Sequence, residues 1–305
     1  MLEDWQERIH LLSACSFPGI AATLSQYGVQ WVHWSERGGI GVAALVNYHV
    51  GLFKLLNRFY CFWKRKDGRM IERNAQVAFG TGRLTRDYFH RIGIAPERCA
   101  DLFYAIEALH DDEPFPELKD FAKGKKVFLY MGSLYHLKGI DLLLRAFAAL
   151  DTTEWALILC GRDRSGGKYQ KMAEQFGIAD RVFFFGSCPS DKVAKVYAAG
   201  DVVVFPSRFD GWGMILSEGA SLGMPLIGSD MAASSLEIIE PGRNGYLVKA
   251  GSLSSLTAAM RRYVDDPALI AEHGAAAKAK YFREFTPECN VGRLKHGLLK
   301  TKQKD

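Results

Sequence analysis

The sequence predicts an α/β fold built on parallel, doubly wound sheets. Short, almost wholly apolar runs recur along the chain, as strands buried on both faces of a parallel sheet require. Helical apolar patterns alternate with them at the spacing of βαβ crossovers. Gly and Pro punctuate the joins. The 305 residues suffice for two such domains. A composition of 48% hydrophobic and 24% charged residues belongs to an ordinary globular chain, not a disordered or fibrous one.

In the first half, Ile9–Ala14 and Val29–Trp34 read as short buried strands, each leading into a glycine turn (Phe17-Pro18-Gly19 and Arg37-Gly38-Gly39). Asn47–Arg73 reads as a strongly amphipathic helix in which Leu52, Phe53, Leu55, Leu56, Phe59, Tyr60, Phe62 and Trp63 interleave with basic residues. Ala75–Gly80 is a strand, Leu84–Ile92 a helix and Ala100–Ala105 a strand. The acidic stretch 108–123, ALHDDEPFPELKDFAK, holds two prolines and no clear period, and reads as a linker. The expected domains are therefore 1–107 and 124–282, with 283–305 a terminal helix that returns to the first domain.

The second half offers six strand candidates: Val127–Met131, Ala156–Cys160, Val182–Phe185, Val202–Phe205, Leu226–Gly228 and Gly245–Val248. Helical patterns at Ile140–Leu150, Tyr169–Phe176 and Lys192–Ala199 lie between them, and two more helices follow Ser252. The clearest unit runs from Asp201 to Asp230. Its strand is closed by Pro206, Asp210-Gly211 makes a tight turn with Asp210 a good helix N-cap, and Met214–Leu222 is a helix ended by Gly223 and Pro225. Glu218 lies eight positions beyond Asp210, about 12 Å along a helix axis. Ligands of doubly wound sheets bind at the carboxyl ends of the strands. A helix N-terminus there suits a diphosphate, and Gly211 and Gly213 would let a ligand approach the backbone.

No apolar stretch is long enough to span a bilayer, and the acidic start MLEDWQERIHLLSACS lacks the basic n-region of a signal peptide. The six scattered cysteines form no CxxC pair, which favours reduced thiols and a cytoplasmic location over disulfides or zinc. The net charge of +5 equals the excess in Lys54–Arg73 alone, where seven Lys or Arg face Asp67 and Glu72. Two readings of that helix stand. Its aromatic side packs on the sheet with the charges in water, or it docks on an anionic lipid surface, at the inner face of a membrane, by attraction and shallow aromatic insertion. Nucleic acid is not expected, because one basic helix without a recognition motif is little evidence.

FDGWGMILSEGASLGMPLI resembles the signature of retaining glycosyltransferases of family 4, which have the GT-B fold of two Rossmann-like domains facing a cleft. In that signature two acids, usually both Glu, are separated by seven residues. Asp210 stands at the first position and Glu218 at the second. GSLYHLKGIDLLLRAF resembles the family element in which an Arg and a Lys neutralise the diphosphate; Lys138 matches the Lys, while Ser133 replaces the Arg. Arg162 and Arg208, at nearby strand ends, are candidates to restore that charge. AFGTGRLTRDYFHRIGIAPERC followed by YAIE is similar to the last units of a family N-terminal domain, but the earlier glycine-rich units have no counterpart, so the N-terminal domain is expected to be incomplete.

The resemblance implies transfer of a sugar from a nucleotide-diphosphate sugar to a glycan or lipid-linked hydroxyl acceptor, with retained anomeric configuration. No cofactor and no metal are implied, and no DxD-type metal motif stands out. Lys138, Asp210 and Glu218 are the implied catalytic residues. Gly132, Ser133, Gly161, Arg162, Phe185, Gly186, Gly211, Trp212 and Gly213 are the implied donor-binding ones. His49, His33 and Glu36 are candidates on the acceptor side. The alternative is a catalytically weak or inactive GT-B nucleotide-sugar-binding protein, or a membrane-docked partner subunit.

Overall fold

A computed structural model describes residues 8–13, 18–45 and 50–302. Its contacts divide the chain into two units, 1–105 with 287–305, and 106–286.

The first unit begins β1 (His10–Leu12), α1 (Pro18–Gln26), β2 (Trp31–Ser35), α2 (Ile40–Leu45), α3 (Val50–Asn74), β3 (Ala78–Gly80), α4 (Arg83–Ile92) and β4 (Cys99–Asp101). The four strands form one parallel sheet in chain order. Alternation along β2 assigns its two faces. Trp31 joins a core with Ala21, Leu24, Ile71, Phe89 and Ile92 from α1, α3 and α4. Val32, with Val77 and Phe79, builds the core of the other face, where Trp34 packs.

The second unit continues with α5 (Pro116–Ala122), β5 (Lys126–Met131), α6 (Ile140–Ala148), β6 (Trp155–Cys160), α7 (Lys168–Gln175), β7 (Val182–Gly186), α8 (Val193–Tyr197), β8 (Val202–Phe205), α9 (Met214–Leu222), β9 (Leu226–Ser229), α10 (Ala233–Ile238), β10 (Gly245–Val248), α11 (Leu253–Asp265) and α12 (Leu269–Glu284). Its six parallel strands run in the order β10-β9-β8-β5-β6-β7. The order reverses after β7, where the chain crosses to β8 beside β5, so the carboxyl ends of β5 and β8 lie at the switch point. β6, β8 and β9 are buried along their whole length, which is why they read as unbroken apolar runs. α13 (Pro287–Lys302) belongs to the first unit. Its Leu294 and Leu298 pack on the Val32, Val77 and Phe79 core.

Two segments differ from the sequence reading. Residues 108–123 carry α5, whose Phe121 and the adjacent Phe115 meet Phe183 and Phe185 of the outermost strand β7 at 5.1 and 5.0 Å between ring centres. Leu109 also donates its N–H to Ser221 Oγ at 3.2 Å. Two prolines obscured a short helix anchored by aromatic contacts that no local period reveals. The second segment is α3, which has two apolar faces rather than one. Phe53, Cys61 and Ile71 are buried, whereas Phe59, Phe62 and Trp63 are 64%, 70% and 58% exposed. Among the described residues no helix is long and apolar enough to cross a membrane.

Candidate functional site

The loop after β8 is stapled to the turn after β5. Ser207 Oγ donates to the Leu137 carbonyl at 3.1 Å, and the Arg208 N–H donates to the same carbonyl at 2.7 Å. The Arg208 guanidinium donates to the His136 carbonyl and, with both terminal nitrogens, to the Asp141 carboxylate at 2.7 and 2.8 Å. Burial alone would raise the Asp141 pKa; the Arg208 hydrogen bond and charge outweigh it and hold the carboxyl below its ordinary range. Gly139, at φ 75°, closes the 3₁₀ turn His136–Lys138 against Pro206, whose carbonyl would collide with any Cβ there.

These staples bring two of the predicted residues together. Lys138 Nζ forms an ion pair with Asp210 Oδ2. The pair is only partly open to solvent, with 19% and 13% of the two side chains exposed. The ammonium also lies 5.5 Å from the centre of the Phe205 ring and 5.9 Å from that of Tyr135. The other carboxylate oxygen, Asp210 Oδ1, accepts the Trp212 N–H at 3.2 Å.

Glu218 is held separately. Its Oε2 accepts the Tyr197 hydroxyl at 2.5 Å. Burial pushes the Glu218 carboxyl above its ordinary pKa, and the Tyr197 bond partly opposes it. Burial, then the charge of Glu218, push the Tyr197 phenol far up, and Cys160 at the end of β6 adds to the same shift. The Tyr197 hydroxyl also reaches the Ile215 carbonyl at 3.3 Å, so it ties α8 to α9. The sequence reading missed Tyr197; its only signal was a phenol inside an apolar helix, which needs a partner once buried.

At the ends of β5, β6 and β7 the backbone of three predicted glycines is cross-linked. Gly132 N–H donates to the Cys160 carbonyl at 2.8 Å and Gly161 N–H to the Gly186 carbonyl at 2.7 Å. The Ser133 carbonyl accepts the Tyr130 hydroxyl at 3.2 Å. Arg162 is exposed beside these ends, its carbonyl accepting the Leu134 N–H at 2.9 Å. Phe185 meets Phe115, the residue before α5.

Several expectations are corrected. Asp210 is not the N-cap of α9. That position is Gly213, without a side-chain cap, because the Asp210 carboxylate is engaged by Lys138 and the Trp212 N–H. The Trp212 side chain is a core residue, buried with its Nε1 donating to Ser217 Oγ at 3.2 Å. Gly213 is required by packing: a Cβ there would stand 2.5 Å from the Phe205 ring and 3.0 Å from Ser234 Oγ. Arg208 cannot replace the Arg absent at Ser133, since Asp141 holds both its terminal nitrogens. His33 does not open to solvent. It is fully buried against Phe89, with 5.4 Å between ring centres, and bonded to Ser35 Oγ at 2.9 Å. Burial pulls its imidazole down to about 4. Strand alternation turned His33 inward. Glu36, past the strand end, lines a cavity in the first unit. His49 lies outside the described residues. Among the described residues no group of three or more His, Cys, Asp or Glu is placed to hold a metal ion.

Two parallel α/β units, one with a lysine–carboxylate pair at its switch point, make a GT-B fold. HepE of Anabaena, in complex with UDP and glucose, has the same fold, with a TM-score of 0.75 at 17% identity over 95% of this chain and 77% of that one. The glycosyl transferases group 1 family matches residues 111–280, and the chain belongs to it. The lipopolysaccharide core biosynthesis mannosyltransferase LpcC of Rhizobium leguminosarum bv. viciae is 32% identical over 208 residues, 65% of this chain and 57% of its own. A D-inositol 3-phosphate glycosyltransferase of Thermomonospora curvata is 29% identical over 179 residues, 55% of this chain and 41% of its own. The chain spans about half the length of the curated relatives it matches.

Proposed function

We propose that this chain moves a sugar from a nucleotide-diphosphate sugar to a hydroxyl on a glycan or lipid-linked acceptor, with retention and without a metal ion. The observation that carries this reading is the Lys138–Asp210 pair at the switch point of the six-stranded sheet. An ammonium has three N–H donors. With one on Asp210, two remain for diphosphate oxygens. Asp210 keeps lone pairs for donor-sugar hydroxyls, and its bond from the Trp212 N–H fixes its direction. Glu218 accepts ribose hydroxyls from the position Tyr197 sets. Gly132, Ser133, Gly161, Gly186 and Arg162 supply backbone and charge around the nucleotide.

In the transfer, the bond from the anomeric carbon to the β-phosphate oxygen breaks and its electron pair leaves with the diphosphate. The acceptor oxygen bonds to the same face of the sugar, and its proton passes to the departing phosphate oxygen. The task for the protein is to stabilise the charge developing on that oxygen, which is the role of Lys138. The HepE complex with UDP and glucose supports a nucleotide-sugar donor, and the LpcC relative, of lipopolysaccharide core biosynthesis, supports a glycan or lipid-linked acceptor.

Calorimetry with UDP and GDP, then a transfer assay over a sugar-nucleotide panel, tests the reading. One diphosphate should bind, and Lys138→Ala should lower kcat by about 10²–10³-fold, the usual cost of removing one charge-stabilising donor. Binding of neither nucleotide would overturn the reading. Binding without transfer would leave the alternative of a nucleotide-sugar-binding protein.

The exposed face of α3 favours a second property, docking on anionic lipid. Leu52, Leu55, Phe59, Phe62 and Trp63 recur at helical spacing on one exposed stripe. Lys54, Arg58, Arg65, Lys66, Arg69 and Arg73 are exposed on the same helix. Leaving such side chains in water forgoes roughly 1.5–3 kcal/mol each, and an exposed apolar patch of this kind marks an interaction surface. Sedimentation with phosphatidylglycerol vesicles should pull the protein down, and Phe62→Ser with Trp63→Ser should release it. Equal binding to neutral vesicles would exclude the electrostatic part.

A further inference from the structure

One ring at the switch point of the second unit meets several parts of the site. Phe205, the last residue of β8, is buried, with 2% of its surface exposed. Its ring centre lies 5.5 Å from the Lys138 ammonium. It also sets the approach of the α9 start, where a Cβ at Gly213 would stand 2.5 Å from the ring. The same ring stacks on Tyr130 of β5, the strand that pairs with β8, at 6.3 Å between centres and 17° between planes. That is the offset stacking that aromatic quadrupoles favour. Tyr130 carries the contact on to the turn after β5. Its hydroxyl donates to the Ser133 carbonyl at 3.2 Å, and a Cβ at Gly132 would stand 3.0 Å from that hydroxyl. Burial pushes the Tyr130 phenol far above its ordinary pKa, and the Asp210 charge adds to the shift, so the hydroxyl keeps its proton and remains a donor.

A lysine ammonium sits on a flexible four-carbon stem, and fixing it costs rotamer freedom. The ion pair with Asp210 fixes its distance from one carboxylate but leaves its direction open. An aromatic face on a second side sets the direction, because the cation is drawn to the negative face of the ring. Two rings lie near Lys138. Tyr135, at 5.9 Å, is only partly buried and also has the Arg164 guanidinium 5.8 Å from its centre. Phe205 is buried and clamped between Tyr130 and the α9 start, so it is the ring that does not reorganise. Fixed groups of this kind are what a site for developing charge needs.

We propose that the Tyr130–Phe205 stack is the positioning element of this site: Phe205 aims the Lys138 ammonium, and Tyr130 holds the Gly132–Ser133 turn. The consequence for catalysis rests on the transferase reading, which assigns Lys138 to the departing diphosphate and the turn to the nucleotide. Both rings are buried and act through the residues they hold. Their kinetic effects therefore differ. The aim of Lys138 counts most when charge develops on the departing oxygen, so Phe205 acts on kcat. The turn meets the nucleotide alike before and during transfer, so Tyr130 acts on affinity.

Two variants test the proposal. Phe205→Leu removes the aromatic face and keeps an apolar side chain; Tyr130→Phe removes one hydroxyl and keeps the stack. Reductive methylation of the nucleotide-free full chain, read lysine by lysine by mass spectrometry, reports on Lys138 without any transfer assay. Relative to the other lysines, Lys138 should react about threefold faster or more in Phe205→Leu, and at the native rate in Tyr130→Phe. Hydrogen exchange should quicken over residues 132–134 in Tyr130→Phe. In the transfer assay, run well below the melting temperature of each variant, Phe205→Leu should lower kcat by about threefold to thirtyfold, more than it weakens nucleotide binding. Tyr130→Phe should raise the nucleotide Kd by roughly twofold to tenfold. Unchanged Lys138 methylation in Phe205→Leu, or the same fractional loss of kcat and affinity in both variants, overturns the proposal. If the native chain binds neither UDP nor GDP, the transferase reading falls, while methylation and exchange still decide whether the stack holds Lys138 and the turn.

Discussion

The two sheets differ in how they are buried, and the difference bears on the role proposed for each unit. In the second unit β6, β8 and β9 are buried end to end, and the loops above them are tied to one another by Ser207, Arg208 and Gly139. In the first unit β1 and β4 are half-buried or more open along their three residues, and α3 exposes Leu52, Leu55, Phe59, Phe62 and Trp63 while burying Phe53, Cys61 and Ile71. A site for charge needs fixed donors that do not reorganise, and a frame locked by buried polar bonds provides them. A surface that meets other molecules instead leaves apolar area uncovered.

The contrast is most exposed to test at Arg208. Its guanidinium is buried on Asp141, so Arg208→Ala leaves an uncompensated carboxylate, a change that costs about 3–5 kcal/mol. Chemical denaturation should show this loss in the second unit, and nucleotide affinity should fall with it because Lys138 loses its support.

His33 sharpens the contrast from the other side. Its imidazole is neutral when folded, with a pKa lowered to about 4 from the ordinary 6.5. The unfolded chain therefore binds the proton more readily. The resulting stability is fully present above about pH 6.5 and is lost as pH falls toward 4, by at most about 3 kcal/mol. Thermal melts between pH 7.5 and 4.5 should show the first unit weakening in acid, and His33→Asn should flatten that slope.

Tyr197→Phe comes next. It removes the bond to a partly buried Glu218, a loss of about 1–3 kcal/mol. It should raise the Kd for the nucleotide by roughly fivefold to a hundredfold at an unchanged melting profile of the first unit. Burial raises the Glu218 pKa, so nucleotide affinity should fall as pH drops through a midpoint above the ordinary glutamate value. Glu218→Gln should abolish that dependence.

The smallest expected effect is at Phe62, which is 70% exposed. Phe62→Ser should change stability by less than about 0.5 kcal/mol, measured by denaturation. A larger loss would show that the outer stripe of α3 is packed.

Much of the site was legible because it is local. The helix Met214–Leu222 was readable to the residue, its end marked by Gly223 and Pro225, and Lys138 followed from a motif just after β5. The partners of those residues were not legible. Tyr197 and Asp141 meet Glu218 and Arg208 through helix and loop placement, and both contacts span distant parts of the chain. Asp210 looked like a cap because the cap rule is local, whereas a lysine seventy-two positions earlier competes for its carboxylate.

The sequence by itself determined the alternation of strand and helix, the order of the elements and the family, since apolar period and turn residues act over a few positions. Only the tertiary structure decided which face of β2 carries His33, that α3 has an outer apolar stripe, and that Tyr130 and Phe205, from different strands, stack beside Lys138. Those outcomes depend on which surfaces other elements cover, and burial is a property of the packed chain rather than of any stretch of it.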